Sequence, residues 1–216
     1  MLAAVLFDLD GTITDPEVGI TGSFRHALDA VGHPVADDAD LRWVIGPSIA
    51  ESLDRFGLPA ELHDEVVARY RARLRDVGLA QAVLHDGMVD VLDALRSDGV
   101  RLALASAKMI DMGEATLEQF GLLDRFDLVA GTLADGLPRT KAQIVADALA
   151  GLGHPDPATV AMVGDRRHDV EGARANGCIA VAVSWGFAAP DEHDPLPPDH
   201  HVASPAELLD RLRALP

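Results

Sequence analysis

The hydrophobic pattern of the chain changes period several times, and those changes divide it into elements. Five short runs, "AAVLF" (3–7), "VRLALAS" (100–106), "FDLVAG" (126–131), "VAMVG" (160–164) and "IAVAVS" (179–184), are almost continuously apolar. They lack the polar alternation of a strand with one wet face, so they predict strands covered on both faces. Between them apolar positions recur at helical spacing: 87–97 before Gly99, 110–120 before Gly121, 141–150 between Thr140 and Gly151, and 169–176 before Gly177. Strand and helix alternating in this way predict an α/β fold, a doubly wound parallel sheet of Rossmann-like form. Ligands of such sheets gather at the carboxyl ends of the strands.

Residues 16–82 break the rhythm, because they carry helical patterns only. These run over 18–31 before Gly32, 38–44, 48–56 and 60–77 before Gly78. The third is opened by a capping box, Ser48-x-x-Glu51, and closed by Gly57. An all-helical insertion directly after the first strand predicts a cap over the strand ends, with 1–15 and 83–216 forming the core and 16–82 the cap. Further on, "APDEHDPLPPDHH" (189–201) reads as loop, followed by a short strand and a helix over 204–215.

Composition narrows the partners. A chain of 216 residues fits one core domain plus an insertion. Its net charge of −17, with no run of Lys or Arg, opposes nucleic acid and anionic membrane surfaces. One cysteine, Cys178, cannot form an internal disulfide, and no apolar stretch approaches the roughly 18 residues of a spanning helix. With no charged region ahead of the first apolar run, the expected location is cytoplasmic and the expected assembly a monomer or homodimer. Of the 18 basic residues 16 are arginine, and the only lysines are Lys108 and Lys141.

The candidate chemistry begins at "DLDGTITD" (8–15). Side chains at i and i+2 share a face in extended chain, so Asp8 and Asp10 bring like charges together and call for a cation or a shared proton. The same strand end adds Gly11 and Thr12, and others add Ser106, then Lys141 at the start of a helix, then Asp165 and Asp169. Several carboxylates, one hydroxyl and one ammonium suit a hard divalent cation such as Mg²⁺ together with a phosphoryl group. In that setting Asp8 could attack phosphorus, and Asp10 could protonate the leaving oxygen and later deprotonate water.

These motifs resemble the haloacid dehalogenase superfamily, in its phosphatase branch near the phosphoglycolate phosphatases and nucleotidases. "DLDGTITD" is similar to the first motif, "LASAK" to the second, Lys141 in "GLPRTKAQIV" to the third and "GDRRHDVEGARANG" to the fourth, in order across residues 2–183. The resemblance implies Asp8 as nucleophile, Asp10 as acid/base, and phosphate contacts from Gly11, Thr12, Ser106, Ala107 and Lys141. It also implies Mg²⁺ held by Asp8, the Asp10 carbonyl and Asp165, with Asp169 in support. Asp10 argues against a dehalogenase, the lysine-free cap against a Schiff-base relative, and Ile20 against a mutase that carries histidine there. "GPSIAESL" (46–53) resembles a cap loop that faces the site, which makes Gly46 a substrate candidate. Arg25, Arg42 and Trp43 are further cap candidates for the substrate's non-phosphate end. Arg166, Arg167 and His168 read as solvated or Asp-pairing residues, Lys108 as steering anions at the rim, and the tail histidines His193, His200 and His201 as unconverged.

The implied function is a Mg²⁺-dependent phosphatase acting on a small phosphorylated metabolite, of phosphoglycolate or nucleoside monophosphate type, through an aspartyl-phosphate. The alternatives are a sugar-phosphate phosphotransferase or mutase, and a receiver-like phosphosignalling domain.

Overall fold

The computed structural model describes residues 2–133, 137 and 139–215; the outermost residues of the expected core, 1 and 216, lie outside that range. The chain opens with β1 (Ala4–Phe7), a two-residue β2 (Thr14–Asp15) and α1 (Glu17–Asp29). Then come α2 (Ile49–Phe56), α3 (His63–Arg73) and β3 (Val83–Leu84). The core continues with α4 (Met88–Ser97), β4 (Arg101–Met109), α5 (Ile110–Gln119), β5 (Leu128–Thr132), α6 (Lys141–Gly151), β6 (Val160–Gly164) and α7 (Arg167–Asn176). It closes with β7 (Ile179–Val183), β8 (His200–Val202) and α8 (Pro205–Arg213).

Six strands form one sheet in the order β5-β4-β1-β6-β7-β8, every pairing parallel. The continuous hydrophobicity of β1 is used on both faces. Val5 and Phe7 join the core that α4 and α8 cover with Leu92, Leu95 and Leu208. Ala4 and Leu6 join the core that α6 and α7 cover with Ile144, Ala148 and Val170. Each fully buried side chain of this size contributes roughly 1.5–3 kcal/mol, which fixes β1 at the sheet's centre and its carboxyl end at the switch point of the topology.

Residues between β2 and β3 are helical and hold their own core around Phe24, Leu28, Ile45, Leu53 and Val66. The chain leaves and re-enters through β2 and β3, which pair antiparallel, Thr14 with Leu84 and Asp15 with Val83. That two-stranded crossing has no hydrophobic signature and is not among the predicted elements.

Four boundaries depart from expectation. The 60–77 helix is instead a 3₁₀ turn, α3 and a wide turn at Leu74–Gly78. There Gly78 meets Gly19 of α1 so closely that a Cβ on Gly19 would stand 2.2 Å from the Gly78 carbonyl oxygen. The 38–44 segment yields one 3₁₀ turn, Arg42–Val44. β4 runs to Met109, with its register against β5 shifting between Ala105 and Met109. His200 and His201 belong to β8 rather than to the loop. At Ser48 the hydroxyl caps α2 by accepting from the Glu51 amide, while the Glu51 carboxylate faces Arg167 and His168 at 3.8 and 3.7 Å.

Candidate active site

Asp8 follows β1 directly, and the chain then turns sharply. Gly11 adopts φ +87°, and the turn is closed by amide bonds from Gly11 to the Thr14 carbonyl and from Thr12 to the Leu9 carbonyl. A Cβ on Gly11 would lie 2.5 Å from Asp165 Oδ2, so glycine is required both for the turn and for the carboxylate beside it. The expected phosphate contacts Gly11 and Thr12 therefore stand in the turn that follows Asp8. Both amides are committed within the turn, and Thr12 is fully buried with its Oγ1 unpartnered.

The bulged end of β4 delivers Ser106, Ala107 and Lys108 to the same place. Gly131 of β5 permits it, since a Cβ there would stand 2.5 Å from the Lys108 carbonyl oxygen. The Lys108 ammonium donates to Asp10 Oδ1 at 2.8 Å, with its side chain only 5% exposed. Lys108 is thus inside the site rather than at its rim.

Lys141 opens α6 behind a reciprocal capping box made by Thr140 and Gln143. An ammonium at a helix N-terminus opposes the helix dipole and needs acceptors nearby. Lys141 has three: Asp8 Oδ1 at 2.8 Å, Asp169 Oδ1 at 2.7 Å and the Ala105 carbonyl at 2.9 Å. Gly172 of α7 leaves room for its stem, because a Cβ there would meet Lys141 Cγ at 2.7 Å. Burial works against the Lys141 ammonium, but Asp169 and Asp8 more than offset it and raise its pKa.

Asp165 follows β6, and Asp169 stands in the first turn of α7, where its Oδ2 accepts from the Arg166 amide at 3.0 Å. Oxygens of Asp8, Asp165 and Asp169 lie within 4.8 Å of one another, the one such acidic group among the described residues. Burial raises the Asp165 pKa well above the usual carboxylate range, and the charges of Asp169 and Asp8 raise it further. Its Oδ2 accepts from the Phe187 amide at 2.6 Å, while its Oδ1 is buried without a partner. Burial also raises Asp10 and Asp169, with Lys108 and Lys141 respectively opposing the shift. Four buried carboxyl groups thus share two ammonium groups. An orphaned carboxylate oxygen within a dry acidic triad fits a divalent cation.

A cavity of about 510 Å³ extends from Asp8, Asp10, Ser106, Ala107 and Lys108 to cap residues including Gly46. Arg25 and Arg42 are not on its wall. Arg25 donates to the carbonyls of Val35, Ala36 and Ala39 and so braces the loop after α1, while Arg42 pairs with Asp40 in solvent. Trp43 packs against Phe24 and beneath the Arg55 guanidinium. A guanidinium braced on backbone and one directed at substrate look alike in sequence.

Two contributors have no motif signal. Arg166 is buried, pairs with Glu192 at 2.8 Å and donates to the Ile45 carbonyl of the cap. The tail loop also reaches the site, with His193 Nε2 3.1 Å from the Asp165 carbonyl oxygen, and Trp185, just after β7, donates to the Thr12 carbonyl. The loop is polar and Pro-rich, and nothing in it marks the His193 contact.

The family model for haloacid dehalogenase-like hydrolases matches residues 5–183. The tyrosine-protein kinase PtkA of Mycobacterium tuberculosis is 41% identical over 97% of this chain and 70% of its own length. A 5'-nucleotidase of Pseudomonas aeruginosa is 34% identical over 94% of this chain and 92% of its own length. A solved structure described as a predicted phosphatase from Clostridium acetobutylicum superposes with a TM-score of 0.94 at 30% identity, covering all of both chains. This chain belongs to the haloacid dehalogenase-like hydrolases, within the phosphatase branch whose motifs it carries.

Proposed function

We propose that this phosphoric monoester hydrolase works through an aspartyl-phosphate on Asp8, with Mg²⁺ held by Asp8, the Asp10 carbonyl and Asp165, and with small phosphorylated metabolites as substrates. The observation that carries the reading is the division of labour between the two lysines. Lys141 holds Asp8 and Asp169, Lys108 holds Asp10, and so the first two aspartates face different partners. The bound cation supplies positive charge against the phosphoryl oxygens. Asp8 attacks phosphorus, forming the Asp8 O–P bond as the ester P–O bond breaks, and Asp10 gives its proton to the leaving alkoxide. Asp10 then takes a proton from water, which attacks phosphorus and breaks the Asp8 O–P bond. Ser106 and Lys141 position the phosphoryl group, and residues 16–82 act as a cap that excludes bulk water.

Burial favours a protonated Asp10, as the first step requires of an acid, while Lys108 supports the carboxylate that the second step requires. A second reading, transfer to an acceptor hydroxyl in place of water, is favoured by the relative named as a tyrosine kinase. The receiver-like alternative leaves Asp10 and the cap without a role.

Multiple-turnover phosphate release from a panel of phosphate monoesters separates these readings. Hydrolysis predicts release without an acceptor, loss of release in chelator and recovery with Mg²⁺. Full activity in chelator contradicts the metal assignment. Turnover that appears only when a hydroxyl acceptor is supplied favours transfer.

A further inference from the structure

We propose that the preferred ester carries an uncharged alcohol portion that presents an aromatic ring face, and that carboxylate-bearing esters such as phosphoglycolate are poor substrates. This rests on the phosphatase reading above and adds the chemistry of the leaving group. Polar groups occupy the inner end of the cavity, at Asp8, Asp10, Ser106 and Lys108. Away from that end the cap contributes Val44, Ile49, Val67 and Tyr70 beside the polar Ser48, His63 and Asp64, and the core contributes Met109 and Met112. Two thioethers and a phenol ring amid aliphatic side chains suit a flat aromatic body, by sulfur–aromatic and ring–ring contact.

The cations near the cavity are already engaged. Lys108 is on Asp10 and Lys141 on Asp8 and Asp169, while Arg71 on the wall also has a partner and is offset in sign by Asp64. A carboxylate in the leaving group would lose water against the apolar part of the walls, which is unfavourable. Burial and the charge of Asp10 hold the Tyr70 hydroxyl in its neutral form, so it adds no charge to this wall. The volume of about 510 Å³ is in the range of pockets that enclose a ring-sized ligand, and a two-carbon acid would leave most of it to water.

The test uses the full wild-type chain with Mg²⁺ and four esters: phenyl phosphate, a nucleoside 5'-monophosphate, phosphoglycolate and glycerol phosphate. The expected result is a kcat/KM at least about tenfold higher for one or both ring-bearing esters than for the other two. The higher of the two tells a compact aryl leaving group from a nucleoside. Val67→Lys, which adds a cation to the wall, should narrow the gap by raising phosphoglycolate turnover; if that variant fails to fold, the wild-type ratios decide alone. Phosphoglycolate or glycerol phosphate matching the ring-bearing esters would overturn the inference and leave the phosphatase reading standing, as would unchanged ratios in folded Val67→Lys. No release from any of the four would overturn the phosphatase reading itself.

Discussion

Lys141 shows why a chain rich in arginine keeps a lysine. Its ammonium stands within 2.9 Å of three oxygens, two from carboxylates and one from a carbonyl, around one compact point. A planar guanidinium is wider and cannot meet all three while leaving space for a phosphoryl group. Lys141→Arg should therefore lower kcat/KM by at least about 2 kcal/mol, measured as initial rates with circular dichroism confirming the fold. Lys108 is buried on Asp10, so Lys108→Met should lower kcat by roughly tenfold or more through misplacement of the proton carrier, with a smaller effect on KM. Unchanged kcat would return Lys108 to a steering role. The four aspartates were legible because their spacing at strand ends is itself the signal. The partner of Lys108 was not, because it depends on a bulge that β4 acquires only against Gly131.

Between elements, the connection from core to cap depends on Arg166. Its buried guanidinium joins Glu192 of the tail loop to the Ile45 carbonyl, and Gly46 beside it has φ +102° with no room for a Cβ, which would meet Arg166 Cγ at 2.7 Å. Arg166→Met should loosen this clasp, raising KM several-fold and speeding limited proteolysis of the cap. Unaltered KM and cleavage would mean that the cap's apolar contacts suffice. Burial alone would raise the Glu192 pKa, but bonds from Arg166 and the Arg167 amide bring it below the ordinary carboxylate value. A depressed carboxylate stabilises the fold above its unfolded-state pKa and loses that contribution as pH falls through the folded one. Glu192→Gln should accordingly flatten the acid side of the stability–pH curve, measured by urea midpoints, whereas an unchanged acid limb would contradict the coupling. The helices and strands of the six-stranded sheet were readable from period and caps, whereas the β2–β3 pair and the breaks in the 38–44 and 60–77 segments were not. The clasp was not, because it joins residues 45, 166 and 192, which no local pattern relates.

At the scale of the molecule, a parallel sheet with both faces covered sets the carboxyl ends of β1, β4 and β6 side by side, and residues of the helical segment between β2 and β3 line the cavity there. Among the described residues no helix is long and apolar enough to cross a membrane. The strongly negative chain concentrates buried acid at one point, a placement that costs folding stability and that Lys108 and Lys141 offset in part. The central claim is that Asp8 carries the phosphoryl group. The most direct measurement mixes the wild-type chain with Mg²⁺ and a turned-over ester, quenches in acid within one turnover, reduces the acyl phosphate with borohydride and maps the modified residue by mass spectrometry. The account predicts modification at Asp8, absent without metal and absent in Asp8→Asn, which should also lose phosphate release. Modification at another residue, or steady turnover by Asp8→Asn, would contradict it.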